Sequence, residues 1–170
     1  DCVNLELSAT MEGVYDATTG QMLNGLSERG LLPGQTPVSA LVTPTPTGQP
    51  YSAAPWSYSG TEGGNWTDND YPNDVVDWLL VSFRTSTEKN SEVSMTAALL
   101  RQDGSIDFPA RCALGLGVAD SVYIVIEHRN HMGIMSPDAI PVIDGMLTYD
   151  FSTSDSYRNP TSFGQKQLAD

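Results

Sequence analysis

The chain has 170 residues, of which 17% are charged, and a formal net charge of -13, with 8 Lys and Arg against 21 Asp and Glu. That length suits one domain with a real hydrophobic core. The acidity excludes nucleic acid as an expected partner, because a negative surface repels phosphates, and no apolar run reaches the length needed for membrane insertion. Ser, Thr, Gly, Pro and Asn supply the remaining polarity, which is typical of a turn-rich β protein.

Two cysteines, Cys2 and Cys112, are present. Neither belongs to a CxxC pair, and no Cys/His set has the spacing of zinc ligands. We expect a disulfide between them; the alternative is two free thiols packed as small hydrophobic groups. A disulfide indicates an oxidising compartment, so we expect an extracellular or cell-surface protein after signal-peptide removal.

The first half of the chain predicts one strand, one short helix and a long loop. Apolar and polar residues alternate over residues 3–15, which predicts a half-buried strand. Residues 21–30 have helical spacing with Gly30 in a stop position, which predicts a short helix or a packed loop. Prolines in 33–50 exclude a central strand. We expect 34–74 to be a long loop or insertion.

Strands dominate the second half. The run VVDWLLVSFR at Val75–Arg84 predicts a buried strand, and residues 93–99 predict an amphipathic one. Asp103-Gly104 predicts a hairpin turn within 100–108. We expect a central strand over 122–135 and a short strand over 146–151.

Short strands separated by Pro- and Gly-rich spacers predict an all-β fold. We expect a single antiparallel β-sandwich, Ig-like or prealbumin-like, with at most one short helix, over residues 1–151. Residues 152–170 are polar and weakly patterned, which predicts a linker or C-terminal tail.

Aromatic residues cluster in 51–74 among Gly, Asn and Ser. Aromatic rings stack on the apolar faces of sugars while small polar groups bond their hydroxyls, which indicates a carbohydrate site. The alternative is a hydrophobic cluster that orders the loop itself. The candidate sugar-stacking residues are Trp56, Tyr58, Trp66 and Tyr71.

The same loop is rich in side-chain oxygen atoms, the ligands that calcium prefers. It lacks the Gly and Glu of an EF-hand, and turn and cap hydrogen bonds are the alternative explanation. The candidate calcium ligands are Asp68, Asp70, Asn73 and Asp74.

Both histidines of the chain lie in the stretch VYIVIEHRNHMGIMS. A metal site would need His128 and His131 on one face, but residues three apart in a strand point to opposite faces unless the chain bends, as Gly133 would permit. Arg129 is expected to form a buried ion pair with Asp77 on another strand. With His128 and Asn130 beside it, this pair predicts a structural polar cluster that fixes strand register.

Catalytic signatures are weak. No G-x-S-x-G motif occurs, and both histidines fall on one predicted strand. A hydrolase that uses Asp77, Glu127 or His128 remains the third functional alternative.

Several stretches, in this order, resemble a module of secreted and cell-surface proteins of Bacteroidota that are exported by the type IX pathway and described as hemagglutinin-like or hypothetical. They are GLLPGQTPVSA, QPYSAAPWSYSGTE, DVVDWLLVSFR, AALLRQDGSI, VYIVIEHRNHMGIMS and LTYDFSTS. The resemblance implies a secreted β-sandwich beside other modules and implies no catalytic residues. Residues 34–48 look like an added insertion. Asp120-Ser121-Val122 resembles the O-glycosylation motif of these bacteria, which makes Ser121 a candidate site.

The expected function is a non-catalytic extracellular module, structural or adhesive, of a bacterial surface protein. Its partners would be other modules or copies of the same protein, and it would self-associate through strand edges into a fibre or surface layer. The alternative is a carbohydrate-binding module that recognises glycans through residues 51–74.

Overall fold

The computed structural model describes residues 1–158 and confirms an all-β class with one short α-helix in that range. In chain order the elements are β1 Asn4–Ser8, β2 Tyr15–Asp16, β3 Gln21–Met22, α1 Gly25–Glu28, β4 Val75–Arg84, β5 Glu92–Arg101, β6 Ile106–Asp107, β7 Ser121–His128, β8 His131–Met135, β9 Ile140–Pro141 and β10 Met146–Asp150, with single 3-10 turns at Asp68–Asp70 and Lys89–Ser91.

A large antiparallel sheet organises the fold, in the order β6-β5-β4-β7-β8, and β9 also pairs with β7. The central strand β4 is buried along all of its length except Arg84. A strand covered on both faces needs apolar residues at successive positions rather than at alternate ones. This explains the nearly continuous apolar run VVDWLLVSFR, and it confirms the strand predicted there.

A β-bulge near the start of β4 shifts its register against β5 between Val75 and Asp77. A bulge places two residues opposite one and interrupts the alternation of side chains. Val75 therefore lies on the same face of the sheet as Trp78, three residues later, and Val76 lies on the same face as Leu79.

The first face is covered by β1 and β10, which pair in parallel. Leu7 of β1 and Leu147 of β10 share one core with Leu79, Val81 and Phe83 of β4. The expectation of purely antiparallel pairing is therefore wrong for this pair. The strand predicted over 3–15 is also too long, because β1 ends at Ser8 and the chain then turns before it forms the short β2.

The expected disulfide is confirmed between Cys2 and Cys112. It fastens the start of β1 beside the segment that precedes β7, where the Val3 N–H also donates to the Leu114 carbonyl at 2.9 Å. The covalent bond and the hydrogen bond together hold the first strand in its layer.

The second face is covered by the long loop. Tyr51 and Tyr71 pack there on Trp78 and Leu80 of β4, in a core separate from the first. The architecture is therefore one large sheet with the β1–β10 pair on its first face and the long loop on its second face. A two-sheet sandwich is not confirmed.

The stretch predicted as one central strand over 122–135 is two strands, β7 and β8, joined by a turn at Arg129–Asn130. The polar residues that seemed an insert within a strand are the turn and its flanks, since Asn is a common turn former. Residues 21–30 are likewise divided, into β3 and the single turn of α1, and Gly30 has the positive φ of +66° expected at the stop position.

The structure describes residues 152–158 of the predicted tail, and this segment makes contacts with the folded domain. The Tyr149 hydroxyl donates to the Asp155 carbonyl at 2.5 Å, Ser156 is buried, and the Tyr157 N–H donates to the Met135 carbonyl of β8 at 2.6 Å. Residues 155–157 therefore pack against the folded domain, and the division of the chain into a domain and a tail stays a prediction. The rest of the predicted tail, 159–170, lies outside the described residues.

Candidate functional site

Asp77 is the centre of a polar cluster at the end of the β4–β7 ladder. It is 2% exposed, and Nη2 of Arg129 donates to Oδ1 at 2.6 Å and to Oδ2 at 2.8 Å. The expected Asp77–Arg129 ion pair is confirmed, although one guanidinium nitrogen bridges both oxygens and the two-pronged geometry is absent. The Trp78 N–H also donates to Oδ1, at 2.8 Å.

His128 adds a third donor to the carboxylate. Its Nε2 lies 2.9 Å from Oδ2 of Asp77. A carboxylate that is paired with a guanidinium only accepts, so Nε2 carries the proton of this ring. Its Nδ1 is then the unprotonated nitrogen of the neutral ring, and it accepts from the Asn130 N–H at 3.1 Å. Asn130 enters the predicted cluster through its backbone only, because its side chain is exposed.

His131 is oriented by the opposite layer. Its Nε2 lies 2.8 Å from the backbone carbonyl oxygen of Glu12, which can only accept, so Nε2 carries a proton here too. Nδ1 of His131 then faces Nδ1 of His128 at 2.9 Å. A separation of 2.9 Å between two ring nitrogens is that of a hydrogen bond, so one Nδ1 donates its hydrogen to the other, and a metal cation that bound both nitrogens would take the place of that hydrogen.

The expectation that His128 and His131 lie on opposite faces is wrong. They pair directly across the hairpin, and their ring centroids are 4.9 Å apart. The strand rule fails because Arg129 and Asn130 form a turn, which places the residues before and after it side by side. The five polar residues between two apolar runs, EHRNH with an asparagine near their centre, were the sequence signal that could have revealed this hairpin.

The aromatic candidates belong largely to the second core. The Tyr71 hydroxyl accepts from the Trp78 indole N–H at 2.9 Å and donates to the Pro33 carbonyl at 2.8 Å. Burial raises the pKa of Tyr71 to about 12. Trp66 packs edge-on against Tyr71, and Trp56 packs edge-on against Tyr51. The alternative interpretation, a cluster that orders the loop, accounts for most of these rings.

Tyr58 is hydrogen-bonded to Glu62, a residue that the sequence does not single out. The Tyr58 hydroxyl donates to Oε1 of Glu62 at 2.5 Å, and burial followed by this bond raises the pKa of Tyr58 to about 12. The Thr96 hydroxyl on β5 donates to the same oxygen at 3.0 Å. Glu62 thereby fastens the loop to the sheet. Its position in an aperiodic Gly-rich segment gave no signal of that role.

The four candidate calcium ligands are not gathered around one point. Asp68 accepts from the Thr36 N–H and Asp70 caps its own 3-10 turn, whereas Asp74 pairs with Arg101. Among residues 1–158, no group of three or more His, Cys, Asp and Glu residues is placed to hold a metal ion. Turn and cap bonds occupy these oxygens, and the Asn73 carbonyl accepts from an asparagine side chain.

Two other candidates lie on β7. Ser121 is half-buried at the start of the strand, opposite Pro141, and its glycosylation stays a prediction. Glu127 is half-buried opposite Leu80. Of the three residues named for a hydrolase, Asp77 and His128 are joined by a hydrogen bond, and both are buried.

Comparisons with known proteins found no matching family model, no matching curated protein and no matching solved structure. Within the described part of the chain, helices are too short to span a membrane.

Proposed function

We propose that the chain is a non-catalytic extracellular module, structural or adhesive, of a bacterial surface protein, and that it associates with copies of itself or with neighbouring modules through β8. One observation carries this proposal. In the described range β8 is one of the two outermost strands of the large sheet, with β6 at the other end, and its Met132 is 85% exposed. The outer edge of such a strand offers backbone donors and acceptors to another strand, although at its last residue the Met135 carbonyl already accepts from the Tyr157 N–H.

Two further observations support the extracellular setting. The Cys2–Cys112 disulfide is of the kind that persists in oxidising compartments. The motifs quoted above, which cover most of the chain from about Leu5 to about Phe151, resemble a module of secreted Bacteroidota proteins, which is a reason to expect a surface protein. In this proposal the β1–β10 pair is the second sheet of a β-sandwich over residues 1–151, and the fold class stays a prediction in that finer form.

The test is self-association of the purified chain, measured by sedimentation and by electron microscopy over a range of concentrations. Met132→Lys places a charge on the exposed edge, and edge charges block strand addition. Val38→Lys, at a position 79% exposed in the long loop, is the matched control. We expect assembly of the native chain and of the loop variant and loss of assembly in Met132→Lys. A native chain that stays monomeric, or equal assembly of both variants, would contradict the proposed edge.

A carbohydrate-binding module is the second candidate, and one depression favours it. An open depression of about 490 Å³ is lined by Glu62, Trp66 and Arg111, among others. A half-buried indole beside a carboxylate and a guanidinium is a combination that suits a sugar ring.

A glycan array tests this candidate. Arg111→Ala removes an exposed wall of the depression, and Trp66→Ala removes the ring. Trp56→Ala is the control, because this ring packs on Tyr51 and does not line the depression. Binding that is lost in the first two variants and kept in the control supports the candidate. Absence of glycan binding by the native chain would refute it.

A further inference from the structure

We propose that Nδ1 of His128 and Nδ1 of His131 form a two-ligand site for a divalent transition metal of the Cu²⁺ and Ni²⁺ type. This inference is independent of the proposed assembly and of the glycan candidate. It starts from the ring nitrogens that face each other at 2.9 Å while both Nε2 atoms are occupied as donors.

The distance between the two nitrogens matches coordination at a right angle. Imidazole nitrogens bind divalent metals at about 2.0–2.1 Å, so two of them at 90° lie about 2.9 Å apart. Tetragonal ions such as Cu²⁺ and Ni²⁺ use right angles, whereas a tetrahedral ion would require a wider separation. The observed separation of 2.9 Å is that of the hydrogen bond between the two rings, and a tetragonal ion could replace its hydrogen without a change in the distance between the nitrogens.

The outer partners of both rings are those of a metal site. Histidine ligands generally donate their second ring N–H to a carboxylate or a carbonyl, which fixes the ring and raises its basicity. His128 donates to the Asp77 carboxylate, and His131 donates to the Glu12 carbonyl. These contacts come from β4 and from the segment after β1, so both rings are held from outside the hairpin.

The site is open on one side. His131 is exposed, whereas His128 is buried, so an ion would reach the pair from the His131 side. Since no third His, Cys, Asp or Glu in the described range completes a cluster, water completes the coordination. The Asn130 N–H shares the lone pair of His128 at the long distance of 3.1 Å, and the ion would replace that contact.

The chain contains only these two histidines, so the test can be read without interference from other imidazoles. Cu²⁺ is titrated into the native chain by calorimetry, and electron paramagnetic resonance then reports whether imidazole nitrogens are bound. His131→Ala removes an exposed ligand, and Met132→Ala, at the next position, which is also exposed, is the matched control. Mg²⁺ measures non-specific binding to the acidic surface.

We expect one Cu²⁺ per chain with nitrogen coupling, no comparable Mg²⁺ binding, and at least a tenfold weaker Cu²⁺ affinity in His131→Ala but not in Met132→Ala. Asp77→Asn should weaken Cu²⁺ binding about 10-fold or more, because it replaces the carboxylate partner of His128 with a neutral amide. Equal Cu²⁺ affinity in the native chain and His131→Ala, or a resonance spectrum without imidazole nitrogen, would overturn the proposal and leave a proton as the only bridge between the rings.

Discussion

The interaction between Asp77 and Arg129 can be measured with a double-mutant cycle. Asp77→Ala leaves the guanidinium and the His128 N–H without their buried acceptor, and breaking a buried pair in this way costs about 3–5 kcal/mol. The Arg129 side chain is 30% exposed and can turn to water, so we expect the lower end, about 3 kcal/mol. Arg129→Met leaves the carboxylate with His128 and Trp78, and the loss of one charged hydrogen-bond donor costs about 2 kcal/mol.

The double variant removes both charges, so its cost should be about 3 kcal/mol rather than the sum, which gives a coupling of about 2 kcal/mol. The assay is urea unfolding, followed by tryptophan fluorescence because Trp78 is fully buried beside the cluster. The same cycle on the surface pair Asp74–Arg101 is the control, with a coupling of about 0–1 kcal/mol expected. Costs at Asp77 and Arg129 that add to within about 0.5 kcal/mol would refute a role for the pair in stability.

Three further predictions concern other parts of the fold. Replacing Cys2 and Cys112 by alanine should destabilise the chain by about 5 kcal/mol in chemical unfolding, because the disulfide closes a loop with a sequence separation of 110. The pKa of Tyr71 rises from 10.0 to about 12 on folding, so its contribution to stability is complete below pH 10 and is lost as pH approaches 12. Circular dichroism should show that the native chain loses stability between pH 10 and pH 12, and that the stability of Tyr71→Phe depends less on pH in that range. The same dependence of stability on pH in both chains would contradict the prediction. Gly63→Ala should lower the melting temperature more than Gly117→Ala, because both have positive φ but only at Gly63 would the new Cβ meet a buried indole, at 2.9 Å.

The sheet was predictable where its signals are local. The apolar run of β4 and the turn at Asp103-Gly104 between β5 and β6 are read from adjacent residues, and both are confirmed. The Asp77–Arg129 pair was predictable for a different reason. A carboxylate within an apolar strand needs a partner, and the chain offers few cations, with 8 Lys and Arg in all.

The parallel pairing of β1 with β10 could not be read from the sequence. It joins Asn4 to Met146 across most of the described chain. Alternation within a strand shows which face is buried, but it does not show which strand lies beside it. The role of the aromatic residues in the long loop could not be predicted from the sequence either. Rings that pack on Trp78 and rings that stack on a ligand are the same residue types, and only the position of the second face of β4 distinguishes them.

The turn at Arg129–Asn130 connects the stability of the sheet with the two proposals made for it. Arg129 within this turn holds the Asp77 carboxylate, and that carboxylate orients the ring of His128. His131, the ring opposite, is the first residue of β8, whose outer edge is the proposed surface for association. A positive ion between the rings would therefore join the end of β7 to the start of the edge strand. The position of that strand then depends on the hairpin contacts as well as on its own pairing, since Met135 at its far end is held by the Tyr157 N–H.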